Sequence, residues 1–303
     1  MTDRRIGLFL QTRDNDYQQL LRDDCLAAAS QRGFSVKVFF ADGDADRQVQ
    51  QLQEVLREPP AKRALAVMVS PVRESTLMPI VHDALRAGVG WVVLSRWSDY
   101  LSGQQARFPG VPVLCVLPDH EEIGRIQALQ FKAFLPDGGE LVYIRGPLGT
   151  FSAERRLAGM QKGLAGSTLR PVIFNSNWSN EGGERAMSDW IRVFGGRELP
   201  PCVVGAQNDS MAMGARQALL RAVGTNKRAT VKRFVVTGCD GSPSYGKRLV
   251  SEGQLAATVV VPPVSGRALA ELASVLDGGP PPPLAITVGV HSYPDVNLLA
   301  PRS

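Results

Sequence analysis

The chain has 303 residues, of which 44% are hydrophobic and 21% are charged. This composition is typical of a globular protein with two domains of ordinary size and excludes a largely disordered chain. The formal net charge is +5, but the basic residues are dispersed, and no aromatic residues alternate with the densest basic run at 227–233. The charge therefore indicates a solvated surface, and we expect no direct binding of nucleic acid.

Short apolar runs alternate with helical patterns through the first third of the chain. The runs predict strands over 6–10, 36–40, 64–69 and 91–94. The helical patterns between them cover 20–33, 49–56 and 77–87, and they end at glycine or proline. Such alternation predicts a parallel sheet that is covered by helices on both faces.

The same alternation resumes after residue 118. The predicted helices cover 119–134, the segment through Met160 and Leu164, 184–194, 211–220 and 266–276. The predicted strands cover 140–144, 172–174, 202–206, 234–237, 255–261 and 285–290. Two sets of one repeating unit predict two similar Rossmann-like α/β lobes.

Proline-rich stretches mark three expected crossings between these lobes. They lie at 108–118, at Pro262-Pro263 and in the run GGPPPP at 278–283. Because proline fixes φ and lacks a backbone N–H, such runs interrupt regular structure. The predicted N-terminal lobe comprises residues 1–116 and 263–283. The predicted C-terminal lobe comprises residues 117–262 and 284–303.

The common catalytic motifs are absent from the sequence. It contains no GxGxxG after the first strand, no GxxxxGK[ST] and no GxSxG, and its four cysteines form no CxxC pair. Its three histidines are far apart, and we expect them to be surface or capping residues. Cys239 beside Asp240 is the best nucleophile candidate, but a packed thiol is favoured. We therefore expect no enzyme activity, no cofactor and no metal.

Polar and aromatic side chains instead recur at the carboxyl ends of the predicted strands, where open α/β sheets bind ligands. They are Asn15, Tyr17, Ser95, Arg96, Arg155, Arg156, Trp178, Asn208, Asp209 and Asp240. Planar Arg, Asn and Asp groups bind adjacent hydroxyls well, and aromatic rings pack on the C–H face of a sugar. Each also has a structural alternative: an Asx turn at Asn15, a helix staple at Tyr17, an ion pair at Arg96 and solvated helix positions at 155–156.

Five segments, in order, carry a resemblance to a known superfamily. They are IGLFLQTRDNDYQQLL with the helix end AAASQRGFSV, then SPVRESTLMPIVHDALRAGVGWVVLSR, GTFSAERRLAGM, AQNDSMAMGARQAL, and VVTGCDGSPSYGKRLVSEGQLAATVV. Together they resemble the type I periplasmic-binding-protein superfamily from Ile6 to about Val290. The similarity is to ribose-binding-protein-like sugar receptors and to the ligand-binding core of lac-repressor-type regulators. It implies two lobes that are joined by a three-strand hinge and close around a ligand.

The resemblance also implies roles for individual residues in the first lobe. Asn15 matches a ligand-binding asparagine, and Tyr17 matches a stacking aromatic residue. Ser95-Arg96 stands where the family has Asp-Arg, so the arginine is kept and the acid is lost.

In the second lobe, Arg156 matches the family's arginine, with Arg155 as an alternative, and Trp178 matches its aromatic residue. The family's remaining acid and amide positions correspond to Asn208-Asp209 and Asp240. Val261 stands where ribose receptors have a glutamine, so ribose itself is not assigned as the ligand.

The function that the resemblance implies is that of an ABC-transporter substrate-binding component that binds a small polyol, such as a monosaccharide. The alternative is a cytoplasmic sensor of the same fold that lacks its own DNA-binding domain, with a sensor protein in place of the ABC permease as its partner. No signal peptide or membrane span is predicted, which indicates a cytoplasmic protein as written, or a periplasmic one if a leader has been removed.

Overall fold

The computed structural model describes residues 4–193, 200–222 and 234–301. The basic run at 227–233 and the last residue of the helix predicted over 184–194 lie outside these ranges. Strands and helices alternate along most of the described chain. The strands are β1 (Arg4–Leu10), β2 (Phe34–Phe40), β3 (Ala66–Val69), β4 (Gly90–Leu94), β5 (Val113–Pro118), β6 (Glu140–Arg145), β7 (Pro171–Asn175), β8 (Cys202–Ala206), β9 (Phe234–Asp240), β10 (Ala257–Val260), β11 (Ala285–Val288) and β12 (His291–Tyr293). The helices are α1 (Asp16–Arg32), α2 (Ala45–Arg57), α3 (Met78–Arg86), α4 (Gln104–Arg107), α5 (His120–Phe134), α6 (Phe151–Leu164), α7 (Asn180–Arg192), α8 (Asp209–Ala222), α9 (Gly246–Ser251) and α10 (Ser265–Leu276).

The chain divides into two compact units, Met1–Pro118 with Pro263–Val288, and Asp119–Pro262 with Gly289–Ser303. The sequence predicted that residues 284–288 belong to the second unit. They belong to the first instead, because β11 pairs with β5. The GGPPPP run therefore joins α10 to β11 within the first unit. The third crossing falls at Val288–Gly289 instead, and residues 117–118 likewise belong to the first unit.

The first unit is built on a six-stranded parallel sheet in the order β11-β5-β4-β3-β1-β2. Successive residues of β1 face opposite sides of this sheet. Leu8 and Leu10 pack in a core with α1 and α10, whereas Phe9 packs in a second core with α2 and α3. Because both faces are covered, inner strands such as β3 and β4 appear in the sequence as unbroken apolar runs.

The second unit has a sheet of the same size, in the order β12-β10-β9-β8-β6-β7. Its described strands are parallel except β12, which runs antiparallel to β10 at one edge. The sequence predicted only parallel strands, and its last strand extended to 290. β11 instead ends at Val288, and three residues of a reversed strand follow in the other unit.

Side-chain caps determine where several helices begin. Asn15, Asp44 and Ser179 each accept a backbone N–H from the first turn of α1, α2 and α7. As a result, α2 and α7 start at residues 45 and 180, four residues before their predicted starts at 49 and 184. Asp119 caps α5 and Gly33 ends α1 in the left-handed region, which confirms both predicted helix ends.

Helices α5 and α6 approach each other closely through two glycines. A Cβ atom at Gly124 would lie 1.9 Å from the carbonyl oxygen of Arg156, and one at Gly159 would lie 1.9 Å from that of Glu121. Only glycine allows this contact. The contact fixes the backbone of α6 at Arg156. Among the described helices, none is long and apolar enough to cross a membrane.

Candidate functional site

The predicted site residues gather at one edge of each sheet. Because parallel strands end at the same edge, residues that follow β1 and β4 come together in the first unit. In the second unit, residues that follow β6, β7, β8 and β9 do the same. Each set is called a half-site below.

In the first half-site, Asn15 caps helix α1. Its Oδ1 accepts the backbone N–H of Gln18 at 3.1 Å. Its Nδ2 group donates no hydrogen bond to a described residue and so remains able to bind a ligand. Tyr17 lies half-buried in the first turn of α1, against the core shared with α10.

Three buried or partly buried glutamines hold the tips of β1 and β3 together. Gln11 and Gln18 both donate to Ser70 Oγ at 3.3 Å, and Gln48 donates to the Ser70 carbonyl at 3.0 Å. Gln48 Oε1 also accepts the backbone N–H of Val72 at 2.9 Å. Sequence reasoning missed these residues, because isolated glutamines in a loop and on two helices carry no motif.

Ser95 and Arg96 follow β4 at the same edge. Ser95 has a φ of 69°, and its N–H donates to the carbonyl of Val116 at 2.8 Å. Burial lowers the pKa of the half-buried Arg96. The negative charge of Glu74 opposes this lowering, and Tyr100 opposes it to a smaller extent. The guanidinium makes no hydrogen bond or ion pair with another described residue.

Arg156 is the centre of the second half-site. Its side chain is only 7% exposed. Its Nη1 donates to the carbonyl of Gln207, its Nε donates to His120 Nδ1 at 3.4 Å, and its Nη2 lies 3.8 Å from Asp240 Oδ1. The guanidinium carbon lies 5.7 Å from the ring centroid of Trp178. A buried cation is thus placed between a carboxylate and an aromatic ring.

The structure separates the two adjacent arginines. Arg155 is exposed, lies 3.7 Å from Glu121 and packs over Phe151. Arg156 points to the strand ends, whereas Arg155 lies away from them. His120, expected to be a surface or capping residue, is instead buried as the first residue of α5, against Arg156.

Trp178 and Asp240 both have left-handed backbone conformations, with φ of 69° and 97°. The Trp178 ring lies directly on Gly146, where a Cβ would be 2.1 Å from its Cζ2 atom. Non-glycine residues pay a conformational cost in this region, and such cost is often found at binding sites.

Asn208 and Asp209 are buried and brace the half-site. Asn208 Nδ2 donates to the Trp178 carbonyl at 2.9 Å, and its Oδ1 accepts from Met211 N at 2.8 Å. Asp209 accepts from Gly241 N at 2.8 Å and from Thr258 Oγ1 at 2.7 Å. Asn208 thus holds Trp178, and Asp209 holds the backbone next to Asp240. Direct contact of Asn208 or Asp209 with a ligand stays a prediction.

A buried chain of polar groups lies beneath Arg156. Tyr143 Oη donates to Gln127 at 2.7 Å and accepts from Gln207 at 3.2 Å. Gln207 also donates to the Ala153 carbonyl and accepts from Gly146 N, at 3.0 and 2.9 Å. Gln207 belongs to the polar triplet at the end of β8. Its partners, however, lie more than 50 residues away in sequence, so local pattern could not assign it this role.

Cys239 is a buried thiol whose pKa is raised by burial. A protonated, inaccessible thiol is not a nucleophile, which agrees with the favoured interpretation of packing. Within the described ranges, no three His, Cys, Asp or Glu residues are grouped as metal ligands would be.

Comparison with known proteins adds the decisive observation. The family model for the periplasmic binding protein domain matches residues 6–280. The chain belongs to this family. The membership confirms the resemblance found in the sequence, and the family is one of binding proteins.

Curated relatives of this periplasmic binding protein include the ribose import binding protein of Salmonella typhimurium, which is 23% identical over 255 residues, or 84% of this chain and 78% of the relative. The D-ribose/D-allose-binding protein of Pseudomonas aeruginosa is 30% identical over 194 residues, 64% of this chain and 56% of that protein.

Solved structures show the same fold. The arabinose ABC-transporter binding protein from Shewanella sp. ANA-3 has a TM-score of 0.80 at 22% identity, covering 97% of this chain and 93% of that one. The Caulobacter myo-inositol binding protein has a TM-score of 0.76 at 21% identity, covering 95% and 92%.

Proposed function

We propose that this protein is a sugar-type solute-binding protein that binds a small polyol of monosaccharide size and delivers it to an ABC importer. The observation that carries the proposal is the buried Arg156 guanidinium, which lies 3.8 Å from the Asp240 carboxylate and 5.7 Å from the Trp178 ring centroid. In that role the protein acts in the periplasm.

This arrangement suits hydroxyl groups. One hydroxyl can accept a hydrogen bond from Arg156 while it donates one to Asp240, because a guanidinium only donates and a carboxylate only accepts. Each charge-assisted bond contributes roughly 1.5–3 kcal/mol. The face of Trp178 supplies apolar surface for the C–H groups of the ring.

The curated relatives support the ligand class through their names, which specify ribose, ribose or allose, and xylitol. All are neutral polyols of similar size.

The test begins with a thermal-shift panel of pentoses, hexoses, inositols, sugar acids and sugar phosphates, because a ligand that binds the native state raises its melting temperature. Calorimetry then compares the strongest ligand with the Arg156→Ala and Asp240→Asn variants. We expect each variant to bind at least about 10-fold more weakly, as the loss of a charge-assisted bond requires.

Arg155→Ala is the matched control. It also removes an arginine, but one that is adjacent in sequence to Arg156 and exposed to solvent. It should bind as the wild type does. Wild-type affinity in both site variants, or an equal loss in the control, would show that the half-site is misplaced.

A further inference from the structure

His120 is a buried side chain that lies against Arg156 in the second half-site. It is the first residue of α5, and only 5% of it is exposed. Its Nδ1 atom accepts a hydrogen bond from Arg156 Nε at 3.4 Å, and its ring packs edge-on against Phe151 with the ring centroids 5.9 Å apart. The imidazole is therefore held between a cation and an aromatic ring, both of which belong to α6.

The hydrogen bond from Arg156 determines the protonation of this imidazole. A guanidinium has five N–H donors and no acceptor, and it stays charged in proteins. The Nδ1 atom that it contacts must therefore carry no proton, so the neutral ring carries its proton on Nε2. His120 thus acts as an uncharged acceptor beside a buried cation.

Two acceptors fix the plane of the Arg156 guanidinium. Nη1 donates to the Gln207 carbonyl, and Nε donates to His120. Because the group is planar, one acceptor alone would let it turn about that hydrogen bond, whereas two acceptors on different nitrogens hold it. The fixed plane directs Nη2 toward Asp240 Oδ1, which lies 3.8 Å away.

The close contact between α5 and α6 brings His120 to this position. His120 and Gly124 are four residues apart, so they lie on the same face of α5. At Gly124 that face meets the backbone of α6, since a Cβ there would lie 1.9 Å from the Arg156 carbonyl oxygen. One turn earlier, the same face places His120 against the Arg156 side chain.

The neighbouring carboxylates of α5 have other partners. Asp119 caps the helix, whereas Glu121 and Glu122 form ion pairs with exposed cations. His120 instead contacts Arg156. A neutral acceptor orients the guanidinium without cancelling its positive charge, which a carboxylate at this position would do.

We propose that His120 is a positioning residue for ligand binding: its neutral imidazole holds the Arg156 guanidinium in the orientation in which Arg156 and Asp240 share a ligand hydroxyl. This inference rests on the proposed function and specifies how the central cation of that site is oriented.

Variants that move or remove the acceptor test the proposal. In His120→Asn the amide oxygen is bonded to Cγ, as Nδ1 is, whereas in His120→Gln it lies one bond further out. Titration calorimetry with D-ribose, D-allose, xylitol and myo-inositol first finds the polyol that the wild type binds most tightly. His120→Asn should bind that polyol nearly as tightly as the wild type does, and His120→Gln and His120→Leu should bind it roughly 10-fold more weakly.

His82→Gln is the matched control. His82 also packs edge-on against a phenylalanine, Phe108, with the ring centroids 6.3 Å apart, but it lies on α3 in the first unit. This variant should leave affinity unchanged. Melting temperatures show whether each variant is folded at the temperature of the titration.

The tautomer of His120 gives a second readout that needs no ligand. Long-range ¹H–¹⁵N spectra of the wild type distinguish protonated from unprotonated ring nitrogens, and single variants of the three histidines assign the signals. We expect His120 to carry a proton on Nε2 and none on Nδ1 near neutral pH. A proton on Nδ1 would overturn the inference, even if a His120 variant failed to fold.

The outcomes separate this inference from the proposed function. If the wild type binds a polyol and all three His120 variants bind it equally well, His120 does not position Arg156, while the function stands. Equal weakening in folded His120→Asn and His120→Gln would mean that only the shape of the ring matters, which also overturns the inference alone. A wild type that binds no polyol in the panel contradicts both.

Discussion

Single residues in the second unit show how buried charges are held near its strand ends. Arg145 and Arg156 are each about 7% exposed, and each lies beside one carboxylate. Asp240, the partner of Arg156, is itself largely buried. Glu154, the partner of Arg145, is 48% exposed and also accepts the N–H of Gly149. Arg156 and Asp240 belong to the second half-site, whereas the pair of Arg145 and Glu154 fixes the loop between β6 and α6.

Glu154 should make a small, acid-sensitive contribution to stability. The Gly149 N–H and then Arg145 lower the pKa of its carboxyl in the folded state. A depressed carboxyl pKa stabilises the fold above the unfolded-state pKa of about 4.3, and the stabilisation is lost as pH falls through the folded-state value. Because the side chain is half-exposed, we expect at most about 1 kcal/mol.

Thermal unfolding of the wild type and Glu154→Gln from pH 7 to pH 3 checks this prediction. The wild type should melt at the higher temperature near neutral pH, and the difference should shrink below about pH 4. A difference that stays constant over this range would mean that the carboxylate charge is not responsible.

Residue roles could be predicted from the sequence only where they are local. Asn15 follows a strand and precedes a helix, so its place at the sheet edge could be predicted. Asp209 could not be recognised as a brace, because one of its partners, Thr258, lies 49 residues further on.

Among the helices and strands, the contact between α5 and α6 is the one that most directly supports the half-site. Gly124 on α5 meets the carbonyl of Arg156 on α6, and Gly159 on α6 meets the carbonyl of Glu121 on α5. The position of the Arg156 backbone is therefore determined by how closely two helices pack.

Gly124→Ala should weaken both folding and ligand binding. Its Cβ would lie 1.9 Å from the Arg156 carbonyl oxygen, so the helices must separate. Overpacking of this kind costs typically 1–3 kcal/mol. We expect a lower melting temperature and weaker polyol binding, measured by scanning calorimetry and titration calorimetry.

Gly289→Ala is the control for this variant, because nothing lies within 4 Å of the Cβ that it would add. It should change neither property appreciably. If Gly124→Ala lowered stability but left affinity intact, the α5–α6 contact would not position Arg156 for binding.

Most helices and strands could be predicted from apolar runs, but their limits could not. The start of α2 depends on the cap at Asp44, which lies outside the apolar pattern. Strand β12 has only three residues and an exposed edge, so no apolar run marks it. Its direction depends on pairing with β10, which is a tertiary property.

On the scale of the whole molecule, neither unit is a continuous stretch of chain. The first needs Pro263–Val288, and the second needs residues after Val288. The sequence predicted this interleaving from its proline-rich stretches, but the predicted third crossing, after residue 283, lies about five residues before the observed one at Val288–Gly289. The GGPPPP run breaks regular structure without leaving the unit, because pairing of β11 with β5 returns the chain to the same sheet.

Residues 1–118 alone should therefore fail to fold. They lack α10, whose Leu269 and Leu272 are fully buried in the core with α1, and they lack the edge strand β11. Burial of each leucine contributes roughly 1.5–3 kcal/mol, against a total domain stability of about 5–15 kcal/mol. Circular dichroism should show no cooperative melting transition.

The same fragment joined through a short flexible linker to residues 263–288 should melt cooperatively. A version with Leu269→Asp and Leu272→Asp controls for added length and should not. Cooperative melting of residues 1–118 alone would contradict the prediction.

This interleaving also has a consequence for synthesis on the ribosome. Strand β11 completes the first sheet only when residue 288 has emerged, and β12 completes the second only at residue 293. Although domains generally fold from the N-terminus as they are made, both sheets here wait for residues 285–293. The two units must then finish folding almost together, and an incomplete chain exposes unfinished sheet edges in both units.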